Sequence, residues 1–206
     1  MVIAIDGPAG AGKSTVARAV AERLGFTYLD TGAMYRSVAL GALESGDQPA
    51  WVAERARIEL GDRVRLDGRD VTDAIRTPEV SAAASRVAAD PAVRAALVRR
   101  QQEILADGDW VAEGRDVAAV VAPGAAVKVF LFADPAERAR RRAAEQGGDH
   151  GAVLQDLRAR DEADQTDGRT VLEPAPDAVP VDTTGLSVDE VVDQIGTLVV
   201  EAKELS

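Results

Sequence analysis

The chain has 206 residues, 46% apolar and 29% charged, a balance that suits one soluble globular core. It has no cysteine, so a disulfide framework, a thiolate metal site and a cysteine nucleophile are excluded. The formal charge of −11 argues against a nucleic-acid-coated surface, no apolar run is long enough to span a membrane, and the direct opening into a strand leaves no room for a signal peptide, so a cytoplasmic protein is expected.

Val2-Ile3-Ala4-Ile5 reads as a short buried strand, and Asp6 ends it. Gly7-Pro8-Ala9-Gly10-Ala11-Gly12-Lys13-Ser14-Thr15 then matches G-x-x-x-x-G-K-[ST], the P-loop. A polyphosphate needs backbone N–H groups aimed at it, and glycines let the main chain approach without Cβ clashes. Lys13 would reach the β and γ oxygens of ATP, and the Ser14 hydroxyl would face Mg²⁺. Val16 to Leu24 reads as a helix, so the loop ends at a helix N-terminus with its partial positive charge. A strand before the loop and a helix after it favour this over a glycine-rich turn that binds nothing.

Phe26 to Asp30 is a second strand, and Thr31 is expected to cap a helix from Gly32 to about Leu43. Ser45-Gly46-Asp47-Gln48-Pro49 breaks that helix, and residues 50–60 are weakly helical. Residues 63–72 alternate on either side of Asp67-Gly68, a two-stranded hairpin that interrupts a strand–helix rhythm and so reads as an insertion. Thr77-Pro78 and Asp90-Pro91 open the next two helices. Trp110 to Glu113 and Val127 to Phe132 are further strands. Helices from Pro135 to about Glu145 and from Val153 to about Asp164 flank a glycine-rich loop around Gly147-Gly148, where His150 is read as exposed and not catalytic. From Ala136 to Arg160 there are six arginines against four acids in an otherwise acidic chain, which points to an anion site. Ala178 to Asp182 is a short strand whose Pro180 belongs at an edge, and Ser187 caps a last amphipathic helix to about Ala202.

Strands alternating with helices imply a P-loop NTPase-type α/β fold, a parallel β-sheet flanked by helices, with ligands at the carboxyl edge of the strands. Two further motifs follow strands and so reach that edge: Asp30-Thr31-Gly32-Ala33-Met34-Tyr35-Arg36 and Gly114-Arg115-Asp116. Arg160-Asp161-Glu162-Ala163-Asp164 closes the basic segment. Arginines set against a P-loop suit the holding of a second phosphate.

Together with Ile75 to Val80, Ala84 to Ala88, Val93-Arg94 and Glu113, these motifs make nearly the whole chain resemble the bacterial cytidylate kinases, nucleoside monophosphate kinases that phosphorylate CMP and dCMP with ATP. The resemblance implies that Arg36 and Arg115 hold the CMP phosphate with Thr31 beside it. It implies that Ser85, Arg94 and Asp116 read the cytosine edge, and that Arg160 and Asp164 contact the sugar. It makes residues 135–169 a helical lid over ATP, with Arg141 on the donor phosphates, and residues 45–76 a small monophosphate-binding insertion in one kinase chain whose core is 1–44, 77–134 and 170–206. The substrates would be ATP and CMP or dCMP, with Mg²⁺, and the enzyme would be a monomer. Two departures stand out: Asp167 occupies a position where the family has an arginine, with Arg169 two residues later, and the insertion is short. A kinase for UMP, AMP or shikimate, or a P-loop ATPase in a larger machine, shares the first motif but not the base-reading set. A GTPase needs the Asn-Lys-x-Asp motif, which a chain without asparagine cannot supply.

Overall fold

Val2–Asp6 (β1) leads through the P-loop into Lys13–Leu24 (α1), and Thr27–Asp30 (β2) follows. Next come Thr31–Ser45 (α2), Pro49–Arg55 (α3), Ile58–Glu59 (β3), Arg65–Leu66 (β4), Arg69–Asp70 (β5), Pro78–Ala89 (α4) and Pro91–Leu105 (α5). The chain continues with Trp110–Gly114 (β6), Val127–Phe132 (β7), Pro135–Gln146 (α6), His150–Thr166 (α7), Val179–Asp182 (β8) and Val188–Glu204 (α8). This computed structural model describes residues 1–146, 149–166 and 173–204, except for the side chains at 145, 146, 150, 160 and 163–166. The chain divides into two compact units, Met1–Tyr28 with Gly108–Ser206, and Leu29–Asp107, the boundary falling inside β2.

The main sheet has the order β2-β6-β1-β7-β8, and β1 runs parallel to both β6 and β7, as β7 does to β8. Ile3, Ala4 and Ile5 are fully buried, as the unbroken apolar run requires of a central strand. Asp6 is in register with Gly114 and with Phe130, and Phe132 with Asp182. The segments that leave these strands, starting at Gly7, Arg115 and Thr183, therefore emerge together at one edge. β8 lies at the sheet's border, where Pro180 has no second ladder to supply. Below the sheet, α1 contributes Val16, Ala17 and Val20 and α8 contributes Val191, Ile195 and Val199 to one core. Each such buried Val or Ile side chain stabilises the unit by about 1.5–3 kcal/mol.

The Leu29–Asp107 unit has its own core, with Met34, Val38 and Leu40 of α2, Val52 of α3, Val80 and Val87 of α4, and Val93 and Leu97 of α5. The anticipated helix starts hold. Thr77 accepts from Val80 N at 3.3 Å, and Asp90 ends α4 and caps α5, accepting from Ala92 N at 2.8 Å. In the other unit Ser187 and Glu190 close a reciprocal capping box on α8.

Three expectations need correction. The cap of α2 is Asp30, not Thr31, because the Asp30 carboxylate accepts from Ala33 N at 2.8 Å and Thr31 is already helical. The hairpin is three-stranded, since β3 pairs with β4. The Asp67-Gly68 turn has positive φ at both residues, and the Asp67 carboxylate accepts from Arg57 N at 2.8 Å, which draws the strand in. His150 and Gly151 belong to α7 and not to a loop, because Asp149 accepts from Ala152 N at 2.9 Å.

Candidate active site

The P-loop's bends rest on close approach. Gly7 has φ +148°, and a Cβ there would lie 2.0 Å from the Leu131 carbonyl oxygen on β7, so no other residue fits. Gly12 is left-handed at φ 87° and opens α1.

Four carbonyls of this loop face side-chain donors. Arg115 Nη1 donates to Gly7 O at 3.2 Å, Lys13 Nζ to Pro8 O at 2.9 Å, Arg138 Nη1 to Ala9 O at 3.0 Å, and the Thr183 hydroxyl faces Ala11 O at 3.3 Å. These groups come from the segment after β6, from α1, from α6 and from the end of β8. Within the loop Ala11 N also donates to Pro8 O at 3.4 Å, and with these carbonyls engaged the remaining loop N–H groups have fewer acceptors within the loop.

Behind the loop lies a set of buried acids. Asp6 accepts from Val117 N at 2.9 Å and Ala118 N at 2.8 Å, in the single π-helical turn Val117–Val121. The side chain of Asp116, at the head of that turn, does not cap it. Burial pushes the Asp6 carboxyl up to about 6. Its two backbone hydrogen bonds oppose the rise, the Asp116 charge adds to it, and Lys13 opposes it. Glu113, in register with Ile5, is buried and accepts the Ser14 hydroxyl at 2.6 Å and the Tyr28 hydroxyl at 3.0 Å. Among the described residues, no group of three or more His, Cys, Asp or Glu side chains stands where it could hold a metal.

On α6, buried Arg138 also pairs with buried Asp161 of α7 at 2.8 Å, so one guanidinium joins both helices to the loop. Arg141 donates to Glu137 at 2.9 Å, to the Thr183 hydroxyl at 2.9 Å and to Thr183 O at 2.5 Å. Its Nη1 lies 3.7 Å from where a Cβ on Gly12 would stand. Hydrogen bonds from Arg140, with help from Arg141, hold the Glu137 carboxyl down at about 2.

In the Leu29–Asp107 unit, Arg36 Nη2 pairs with Asp30 at 2.9 Å, while Arg36 Nε is buried without a partner. Thr31 is buried beside them in the first turn of α2. Ser85 is half-buried on α4, its hydroxyl 3.5 Å from Ser81 O, and Arg94 is half-buried in the first turn of α5, the two set on either side of the Asp90-Pro91 elbow. The side chains of Arg160 and Asp164, and residues Gly147, Gly148, Asp167 and Arg169, lie outside the described residues.

Asp6, Glu113, Arg138, Asp161 and Thr183 were not singled out for a role from the sequence. For Asp6 and Glu113 the available signal was an acid at the carboxyl end of an apolar strand. Arg138 carried no mark to separate it from the other arginines of its helix.

Residues 3–201 match the family model for cytidylate kinase. The chain is 49% identical to a cytidylate kinase of Solibacter usitatus (strain Ellin6076), covering 95% of this chain and 90% of that one. Among solved structures it is similar to a gluconokinase of Sinorhizobium meliloti 1021 (TM-score 0.55, 20% identity, 99% of this chain and 94% of that one). It is also similar to a shikimate kinase of Acinetobacter baumannii (TM-score 0.52, 17% identity, 98% and 94%). At such identities these two structures speak for the fold alone, a parallel sheet flanked by helices.

Proposed function

The chain belongs to the cytidylate kinase family, transferases of the nucleoside monophosphate kinase class, and we propose that it moves the γ-phosphoryl of ATP to CMP or dCMP without a general base. The observation that carries this reading is the capture of three P-loop carbonyls by Arg115, Lys13 and Arg138, with the Thr183 hydroxyl facing a fourth. It supports a loop whose remaining amides are left open to a polyphosphate before one arrives.

The acceptor is a phosphate oxygen, already ionised at neutral pH, so the barrier is repulsion and alignment rather than proton removal. Lys13 and the loop of Gly7 to Thr15, through its remaining N–H groups, hold the donor phosphates, joined by Arg141 when the segment 135–169 closes as a lid and excludes water. Arg115 and Arg36 hold the acceptor phosphate, with Thr31 beside it, because planar guanidinium forks match phosphate oxygens in pairs. Ser85, Arg94 and Asp116 read the cytosine, and Arg160 and Asp164 the sugar.

Mg²⁺ fits the residues present. The Ser14 hydroxyl and the Glu113 carboxylate, 2.6 Å apart, offer only oxygen, and Mg²⁺ in such sites takes one or two protein ligands and leaves the rest to phosphates and water. When bound it would neutralise phosphate charge; Ser14 and Glu113 would hold it, and Tyr28 would fix the Glu113 carboxylate. The same proposal has the enzyme act as a cytoplasmic monomer. No helix of the described residues is long and apolar enough to cross a membrane.

The test is an ADP-release assay with CMP, dCMP, UMP, AMP and shikimate as acceptors. CMP and dCMP should be turned over, UMP at about ten- to a hundredfold lower kcat/KM, and AMP and shikimate at background. Preferred turnover of AMP or shikimate would contradict the proposal.

A further inference from the structure

Gly32 stands in the first turn of α2, between the cap Asp30 and Arg36. Its backbone is ordinary helix, since it is absent from the glycines with positive φ, so no conformational demand requires glycine there. What fills the space is Arg36. A Cβ on Gly32 would lie 2.9 Å from Arg36 Nη1 and 3.2 Å from Asp30 Oδ1. Residues 32 and 36 are neighbours on one helix face, so the guanidinium lies over the bare Cα of the residue one turn earlier.

The other side of the guanidinium is fixed by Asp30, whose Oδ2 accepts from Arg36 Nη2 at 2.9 Å while its Oδ1 caps Ala33 N at 2.8 Å. One carboxylate thus starts the helix and aims the arginine that the helix carries. Asp30 is the only hydrogen-bond partner of Arg36 among the described residues, and Arg36 Nε is buried with none. The guanidinium is located from two sides and still has donors to give.

We propose that Gly32 and Asp30 are positioning residues for Arg36: the missing Cβ at 32 seats the guanidinium, and the Asp30 carboxylate locks it toward the acceptor phosphate. This rests on the reading of Arg36 as a holder of that phosphate. The atom a Cβ would displace is the far end of a flexible side chain, so the fold tolerates alanine at 32. Alanine is also the better helix former. The cost falls first on Arg36, at 2.9 Å, and less on the Asp30 carboxylate, at 3.2 Å.

The experiment is a double-mutant cycle on the full chain with Gly32→Ala, Arg36→Ala and the double variant, reading kcat and KM for CMP, KM for ATP and Tm. Gly32→Ala should lose about tenfold in kcat/KM for CMP, mostly through KM, with KM for ATP within about twofold and Tm unchanged or higher. Added to Arg36→Ala, it should cost nothing more. Asp30→Ser, which keeps a capping oxygen but falls short of Arg36, should show the same rise in KM for CMP with Tm kept.

A Gly32→Ala enzyme with unchanged kcat/KM for CMP, an equal loss in the Arg36→Ala background, or a fall in Tm would each overturn the inference. If Arg36→Ala cripples the use of CMP while Gly32→Ala is silent, only this inference fails. If Arg36→Ala is itself silent toward CMP, the phosphate reading of Arg36 fails and this inference with it.

Discussion

In the P-loop unit, Lys13, Arg115 and Arg138 all end on carbonyls of the loop itself, whereas in the Leu29–Asp107 unit Arg36 rests on one carboxylate and keeps a buried Nε unpaired. Under the proposed function the two arrangements answer different needs. A loop that must present N–H groups to a polyphosphate gains by having its carbonyls drawn away in advance. A side chain that must take an incoming phosphate gains by keeping donors unspent, although a buried donor without a partner costs about 1–3 kcal/mol until one arrives. The contrast has an exception, since Arg138 Nε and Asp161 Oδ1 are also buried without partners, inside an ion pair that joins helices to the loop.

Breaking the donor side should have the largest effect. Lys13→Ala should lower kcat by about a hundred- to a thousandfold with an unchanged circular dichroism spectrum, because Lys13 ends on the loop and not in the core. Activity within a few-fold of the parent would show that the P-loop lysine is not used.

Next is the buried pair. Arg138→Met strands the Asp161 carboxylate and should cost about 3–5 kcal/mol in urea unfolding, most of it regained with Asp161→Leu added. A single variant as stable as the parent would mean that the pair does not tie α6 and α7 to the loop.

The contrast also marks what the sequence could and could not show. The P-loop, the helix starts at Thr77, Asp90 and Ser187, and the edge position of Pro180 are local matters, readable within a few residues. Apart from Lys13, the partners that grip the loop are not local: Ser14 and Glu113 are 99 positions apart, Ala9 and Arg138 are 129 apart, and Ala11 and Thr183 are 172 apart. Their meeting depends on strand register, which no motif states. Asp30 and Thr31 are both able to cap, and the local rule could not choose between them. β3 has two residues, too few for alternation to register as a strand. Asp6 was visible as an acid after an apolar strand, but its two N–H partners belong to a π-helical turn that has no sequence signature.

Asp6 gives a smaller, pH-dependent effect. Its carboxyl is at about 6 in the folded chain against 3.8 as a reference, so folding takes up a proton between those values. Stability from this group is therefore greatest below pH 4 and falls to a lower plateau above about pH 6. Asparagine does not titrate, so the stability of the parent minus that of Asp6→Asn should fall by about 2–3 kcal/mol between pH 4 and 7. Urea unfolding of both proteins across that range measures it, and a flat difference would remove the burial argument for Asp6.

The most direct test of the account as a whole is base choice. A carboxylate can only accept, so Asp116 suits the 4-amino group of cytosine and opposes the 4-keto oxygen of uracil. The measurement is kcat/KM for CMP and for UMP in the parent and in Asp116→Asn. The parent should favour CMP by about ten- to a hundredfold, and the variant should narrow that ratio, because an amide can donate to the keto oxygen. An unchanged ratio in a folded, active variant would contradict the account, for Asp116 would then not read the base.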